Sequence, residues 1–234
     1  MKLICLGTGS KGNCYLLKNS KEVLVLDCGI NYKEVIKKLD FDIKKIKGCL
    51  VTHEHQDHAK YIKNYLEAGI PVYGTAPIKE KYKNYYNLRV VKRFGEYKIG
   101  EFVVKAFDLP HDGTENYGYY IQHEEFGKML YMTDFEYCRY NFKQTGINHI
   151  LIEANYDDQY VNIHAANYSH VRKGHCEITT TINFLKANYT EYLKNVILLH
   201  LSQANSNEVE FKQKVEQEIS CNVAVANKKL EMEI

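Results

Sequence analysis

The sequence predicts an α/β protein in which two sheets pack together with helices outside. Three observations predict it. Short apolar or alternating runs, separated by Gly, Ser and Asn turns, recur through the first half of the chain. Runs with apolar residues at helical spacing fall between them, and two more close the chain. Acidic or imidazole residues directly follow several of the apolar runs, and in open α/β sheets sites are built at strand ends.

Residues 2–6, 15–18 and 23–26 read as strands. The turn after the first contains Gly7-Thr-Gly-Ser-Lys-Gly-Asn13. Its glycines resemble a phosphate loop, but the spacing is not that of a P-loop, which favours a tight turn between strands. Residues 31–39 carry Val35, Ile36 and Leu39 at helical spacing, and 46–51 form a short buried strand. A helix over 59–68, a strand over 71–73 and a helix over 77–85 follow. Residues 102–107, 118–122 and 128–132 return to strands, and 149–152 is another short buried one. Residues 177–185 are helical, with Ile178, Ile182 and Leu185 on one face. A strand over 196–199, a helix over 207–219 and a strand over 222–225 end the pattern. Residues 162–173, which include His164 and His170, have little periodicity. They read either as a solvated loop or as a lid that contacts substrate or a second subunit.

No Pro/Gly/Ser-rich linker or composition break divides the 234 residues, so residues 1–234 are expected to form a single domain. A hydrophobic content of 45% is ample for a packed core. No run approaches the ~20 apolar residues of a membrane span, and no charged-then-apolar leader opens the chain. A soluble, cytoplasmic protein without membrane contact is expected. Seven cysteines without a CxxC pair suggest reduced thiols. The net charge is only +2, without the basic block usual in proteins that grip long nucleic acids. The 20 tyrosines suit half-buried positions more often than base stacking.

The most informative stretch is Val51-Thr-His-Glu-His-Gln-Asp-His58, which places His53, His55, Asp57 and His58 within six residues at the end of a strand. Imidazole and carboxylate are natural ligands of zinc and similar divalent metals, and a merely solvated loop has no reason to collect them. Asp27, His111, Asp134, Glu153 and His200 also follow apolar runs. One such residue is usually a turn former or cap. Together with the histidine cluster they point to convergence on one edge of the sheets. His123 and His149, in or beside strands, read as structural.

HxHxDH with a later His, Asp and His resembles the metallo-β-lactamase superfamily, from Gly7 to about Asn207. The resemblance implies a four-layer αββα sandwich holding two divalent metal ions. It assigns His53, His55 and His111 to one ion, Asp57, His58 and His200 to the other, and Asp134 to both. Asp27 corresponds to an early aspartate that supports the metal loop. Zinc is expected because imidazole dominates, with manganese the alternative. Gly174-His175, Leu199-His-Leu-Ser202 and Leu151-Ile-Glu-Ala154 resemble the ribonuclease Z branch, in which an acid and a histidine pair beside the metals. Here these are Glu153 and His175. The chain reads Glu-Ala-Asn155 where that branch has Glu-Ala-Thr, and Gly174-His-Cys-Glu177 where it has Gly-His-Ser-Thr. The opening Gly7–Tyr15 segment, with Leu26-Asp-Cys-Gly29 and Glu153-Ala-Asn155, is similar to the YycJ/WalJ-type group. Relatives of that group include proposed exonucleases and phage phosphodiesterases that destroy cyclic nucleotide signals, the anti-Pycsar proteins.

The resemblance implies a metal-dependent phosphodiesterase with His175, Glu153 and Asp57 as its catalytic residues. His175 protonates the leaving oxygen and Glu153 orients it. A β-lactam hydrolase does not need this pair, nor does a thioester or lactone hydrolase. A non-catalytic scaffold has no need of the full ligand set. Low net charge favours a small phosphodiester such as a 3′,5′-cyclic mononucleotide over a polymer, and the similarity to the anti-Pycsar proteins implies a counter-defence role. A nuclease acting on DNA or RNA is the alternative. A homodimer is expected, in the host cytoplasm if phage-encoded.

Overall fold

The computed structural model describes residues Met1–Ile234. The chain divides into two compact units: Met1–Ala106 with Asn227–Ile234, and Phe107–Ala226.

The first unit contains β1 (Lys2–Gly7), β2 (Cys14–Lys18), β3 (Val23–Leu26), α1 (Tyr32–Lys38) and β4 (Ile46–Leu50). They are followed by α2 (Gln56–Ala59), α3 (Ile62–Glu67), β5 (Val72–Gly74), α4 (Ala76–Lys81), β6 (Leu88–Val90) and β7 (Glu96–Ile99). β8 (Phe102–Asp108) runs across the unit boundary. The second unit continues with β9 (Tyr117–His123), β10 (Gly127–Met132), β11 (His149–Glu153), α5 (Tyr168–Gly174) and α6 (Ile178–Asn188). It ends with β12 (Asn195–Leu199), α7 (Glu208–Glu218) and β13 (Asn222–Val225), before β14 (Glu231–Glu233) returns the chain to the first unit.

One seven-stranded sheet has the order β14-β1-β2-β3-β4-β5-β6. It is antiparallel from β14 to β3 and parallel from β3 to β6. Parallel neighbours need a crossover: α1 supplies it between β3 and β4, α2 and α3 between β4 and β5, and α4 between β5 and β6. Asn31 starts α1 by accepting from the Lys33 N–H at 3.0 Å. The other sheet has the order β13-β12-β11-β10-β9-β8-β7, with β10 to β13 parallel. β3 (Val-Leu-Val-Leu) and β11 are buried along their whole length, as strands with neighbours and cover on all sides must be. Each unit has its own apolar core. One includes Leu16, Val25, Val51, Ile62 and Tyr65, and the other Leu130, Ile150, Leu198, Phe211 and Val215.

Five elements depart from the sequence expectation. β6 and β14 are three residues each, and β7 (Glu-Tyr-Lys-Ile) is mostly exposed, so none carries a hydrophobic run. α5 lies in the segment without periodicity, because only Val171 and Gly174 of its seven residues are buried. The helix expected over 59–68 is the shorter α3, Ile62–Glu67, and the unexpected α2, Gln56–Ala59, lies within the histidine cluster itself.

This topology places chemistry at the carboxyl ends of parallel strands, the edge where open α/β sheets bind ligands. Asp27 follows β3 and Thr52-His53 lies just beyond β4. In the second unit Met132 pairs with Ile152, Ile152 with Leu198 and Glu153 with Leu199. That register brings Asp134, Glu153 and His200 to the same edge of their sheet.

Candidate metal centre

In the first unit Asp27 organises two of the four clustered residues, His53 and His58. Its carboxylate is fully buried, a costly position unless hydrogen bonds replace water. It accepts from the Thr52 N–H at 2.8 Å, the Thr52 hydroxyl at 3.1 Å and His58 Nδ1–H at 2.8 Å. The Thr52 oxygen lies 3.0 Å from His53 Nδ1. With its proton given to Asp27, it accepts from that ring nitrogen. Both imidazoles are thereby held by Nδ1, leaving Nε2 as the acceptor atom, the usual way a metal-binding histidine is oriented. Asp27 has φ 58, a left-handed conformation that aspartate tolerates better than most residues.

Asn13, the last residue of the glycine turn, was not singled out from the sequence. Its side-chain oxygen accepts from the Gly9 N–H at 2.8 Å, and its amide nitrogen lies 3.0 Å from His58 Nε2 and 3.4 Å from Asp57 Oδ2. Its backbone N–H donates to the Asp57 carbonyl at 2.7 Å. The glycine turn is thus a mould for the Asp57-His58 backbone. Gly29 completes it: a Cβ there would stand 1.7 Å from the Asp57 carbonyl oxygen, so no other residue fits. The donor atoms of His53 and His55 lie within 4.8 Å of each other, as do those of Asp57 and His58.

In the second unit Asp134, Glu153, His175 and His200 each offer a donor atom within 4.8 Å of the others. Glu153 is fully buried and anchors the group. Oε1 accepts from His175 Nδ1–H at 2.8 Å and lies 3.2 Å from His200 Nδ1. Oε2 accepts from the N–H groups of Phe135 at 3.0 Å and Cys176 at 3.2 Å. His200 Nε2 is 3.5 Å from Asp134 Oδ1, and its ring stacks on that of His175 with centroids 5.3 Å apart. Asp134 and His200 both adopt φ 53. Burial would lower the pKa of the His175 imidazole, but the Glu153 carboxylate outweighs it and holds that group above its ordinary value. Burial would likewise raise the Glu153 carboxyl, and His175 holds it below the usual range. The two shifts describe one ion pair.

Asn155 stands where the threonine of the ribonuclease Z branch was expected. Its amide donates to the His200 carbonyl at 2.7 Å and lies 3.1 Å from His200 Nδ1. The departure at that position was therefore itself the signal. His111 Nδ1–H donates to the Gly174 carbonyl at 2.6 Å, and its ring is 5.9 Å from that of His175. The Cys176-Glu177 departure is also accommodated. Cys176 serves through its backbone, and Glu177 caps α6 by accepting from the Thr179 and Thr180 N–H groups at 2.6 and 3.1 Å.

Each unit thus gathers its own predicted residues: His53, His55, Asp57 and His58 in the first, and His111, Asp134, Glu153, His175 and His200 in the second. The donor set is imidazole and carboxylate, with Nδ1 of His53, His58, His111 and His200 turned to a protein partner. That chemistry fits divalent metals of the zinc type. His123 and His149 lie apart from these groups. His123 Nδ1 accepts from the Glu125 N–H at 3.1 Å, and His149 bonds Phe126 and Asn195.

Residues 7–142 match the model of the metallo-beta-lactamase superfamily. Over 229 residues the chain is 26% identical to the exodeoxyribonuclease YycJ of Bacillus anthracis, covering 86% of this chain and 82% of that one. Its fold matches the metallo-beta-lactamase fold protein YhfI of Bacillus subtilis with a TM-score of 0.78 at 18% identity, over 100% of this chain and 99% of that one. It also matches human tRNase Z, short form, with a TM-score of 0.69 at 18% identity, over 100% and 99% of the two chains. The chain belongs to the metallo-beta-lactamase superfamily, has its four-layer αββα fold of two mixed sheets flanked by helices, and is a metal-dependent hydrolase of a family built on dinuclear centres.

Proposed function

We propose that this superfamily member is a phosphodiesterase that prefers 3′,5′-cyclic mononucleotides, with His175 as the acid that protonates the leaving oxygen. The observation that carries the proposal is the buried Glu153–His175 pair at 2.8 Å, beside Asp134 and His200. Hydrolysis of an activated amide or ester does not need a dedicated imidazolium held this way. Departure of a sugar oxygen from phosphorus does, because an unprotonated sugar oxyanion leaves poorly.

In this proposal the predicted ligands would hold two divalent ions. His53, His55 and His111 would hold one ion, Asp57, His58 and His200 would hold the other, and Asp134 would serve both. When bound, such a pair supplies a water acidic enough to react near neutral pH and neutralises charge on the phosphoryl oxygens. Zinc is favoured by the imidazole-rich set, with manganese the alternative. Asp27, Thr52, Asn13 and Asn155 keep the ligands in place. Glu153 orients His175 through Nδ1 and favours its charged form. His175 Nε2–H then passes its proton to the oxygen whose bond to phosphorus breaks.

Substrate size is argued from charge. A net charge of +2 suits a small phosphodiester better than a polymer held by many phosphate contacts. The resemblance to phage enzymes that destroy cyclic nucleotide signals extends the proposal to counter-defence, in the host cytoplasm for a phage-encoded chain. No helix is long and apolar enough to cross a membrane. The largely exposed 162–173 segment is proposed to contact a second copy in a homodimer, which light scattering tests. A nuclease acting on DNA or RNA ends is the second reading, favoured by the similarity to an exodeoxyribonuclease.

The test is incubation of metal-loaded protein with cyclic mononucleotides, cyclic dinucleotides, single-stranded DNA and RNA, with products separated by chromatography. Fastest conversion of cyclic mononucleotides to linear monophosphates is expected. Degradation of DNA or RNA with cyclic mononucleotides untouched selects the nuclease. Cleavage of none of them rejects both.

A further inference from the structure

The second unit contains two cavities beside the donor residues, with His111 on the wall of one of them. One, of about 330 Å³, is lined by Tyr137, Tyr156, Arg172, Glu177 and their neighbours, and the other, of about 760 Å³, by His111, Asp112, Thr114, Glu115 and theirs. Glu136 and Lys173 line both, so the cavities adjoin across these two side chains. The remaining charged walls are engaged. Asp112 pairs with His170 at 2.9 Å, Asp158 pairs with Arg172, Glu115 accepts from the Tyr117 hydroxyl at 3.0 Å, and Glu177 caps α6. Glu136 and Lys173 are exposed and form no ion pair with each other or with any other residue. Tyr137, next to Glu136, is 47% exposed on the wall of the smaller cavity.

A carboxylate only accepts hydrogen bonds and an ammonium only donates them. Held apart, the two present an acceptor and a donor to one ligand. Every nucleobase edge offers the complement, an N–H donor beside an oxygen or nitrogen acceptor. An exposed aromatic ring adds a stacking surface that any base can use. A second phosphate is a poorer occupant: Lys173 would attract it, but Glu136, Glu115 and Asp112 line the same cavity, and like charges brought together oppose binding. Each cavity by itself has a volume within the range of small-ligand sites.

We infer that these cavities form a nucleoside-binding site: Tyr137 stacks on the base, Glu136 accepts from its edge and Lys173 donates to it. Guanine fits best, because its two adjacent N–H donors match a carboxylate and its neighbouring carbonyl matches an ammonium. The link to catalysis rests on the phosphodiesterase reading, since His111 lines the larger cavity and Lys173 precedes His175 by two residues.

The test is calorimetric titration of the full-length, metal-loaded protein with guanosine 5′-monophosphate and with ribose 5-phosphate, which has the phosphate but no base. The nucleotide is expected to bind at least ~10-fold more tightly, the effect of one stacked base. Tyr137→Ala, Glu136→Ala and Lys173→Ala, all at exposed positions, should each bring that ratio toward one. Equal binding of the two probes, no binding of either, or a ratio unchanged in all three variants overturns the site. Hydrolysis of bis(p-nitrophenyl) phosphate by the same preparation tests the phosphodiesterase reading separately. Hydrolysis without base-dependent binding rejects the nucleoside site alone. Base-dependent binding without hydrolysis keeps the site and rejects the reading.

Discussion

At the scale of single residues, the recurring device is an imidazole fixed through Nδ1. His53 is held by Thr52, His58 by Asp27, His111 by the Gly174 carbonyl and His175 by Glu153. The His53-His58 cluster was legible in the sequence because its residues are adjacent in the chain. Of the holders, Asp27 and Glu153 were legible as acidic residues that follow apolar strands, whereas Thr52 and the roles of Asn13 and Asn155 were not. Asn13 acts across 45 residues on His58, as Asn155 does on His200, and an isolated asparagine reads as a turn former. Asp27, Asp134 and His200 share a left-handed backbone, and such strain, roughly 1–3 kcal/mol per residue, persists where surrounding contacts over-determine it. His175 carries the sharpest prediction at this scale. His175→Ala should keep its metal but lose ~10²–10⁴ in turnover on a cyclic nucleotide, the usual range for a general acid. Glu153→Gln should lose less. Both losses should shrink on a nitrophenyl phosphodiester, whose leaving group needs no proton. Equal losses on the two substrates would show that His175 binds or orients and does not donate.

At the scale of elements, the buried parallel strands were legible because they are continuous apolar runs, and α6 and α7 because their spacing is regular. β6, β7, β14 and α5 are short or bury only one or two residues, so no pattern distinguishes them from loops. β11 shows how a polar residue survives in such a strand. His149 Nε2–H donates to the Phe126 carbonyl at 3.2 Å, and Nδ1 accepts from the Asn195 amide at 2.9 Å. Burial lowers its pKa from 6.5 to about 4, so it folds as the neutral ring. Between those two values the unfolded chain binds a proton that the folded chain does not. Stability therefore falls as pH drops through 6.5 and stops falling for this group near 4. The expected loss from pH 7 to 4.5 is roughly 2–3 kcal/mol from this residue. Urea unfolding of wild type and His149→Gln at both pH values measures it: the variant should be less stable at pH 7 but lose distinctly less on acidification. Parallel losses in the two proteins would assign the acid sensitivity elsewhere.

At the scale of the whole molecule, the two-sheet architecture was legible from the succession of strands and helices, whereas the division into two units was not. β8 passes through the boundary without a break, and β14 returns to pair with β1. A boundary inside a strand gives neither unit a clean end, and we propose that residues 1–234 unfold as a single domain. Leu198→Ala, in the core of the second unit, should cost about 2–5 kcal/mol and move one calorimetric transition for the entire chain. Two transitions, with only one displaced, would show independent domains. The central claim is that the proposed histidine and aspartate ligands hold a metal pair that works in phosphodiester hydrolysis, and its direct measurement is zinc titration of metal-free protein while bis(p-nitrophenyl) phosphate hydrolysis is followed. Activity should be absent without metal, rise with added zinc and level off near two equivalents per chain, and His58→Ala and His200→Ala should each remove it. Hydrolysis that is already maximal without metal, or that is indifferent to both substitutions, would contradict the account.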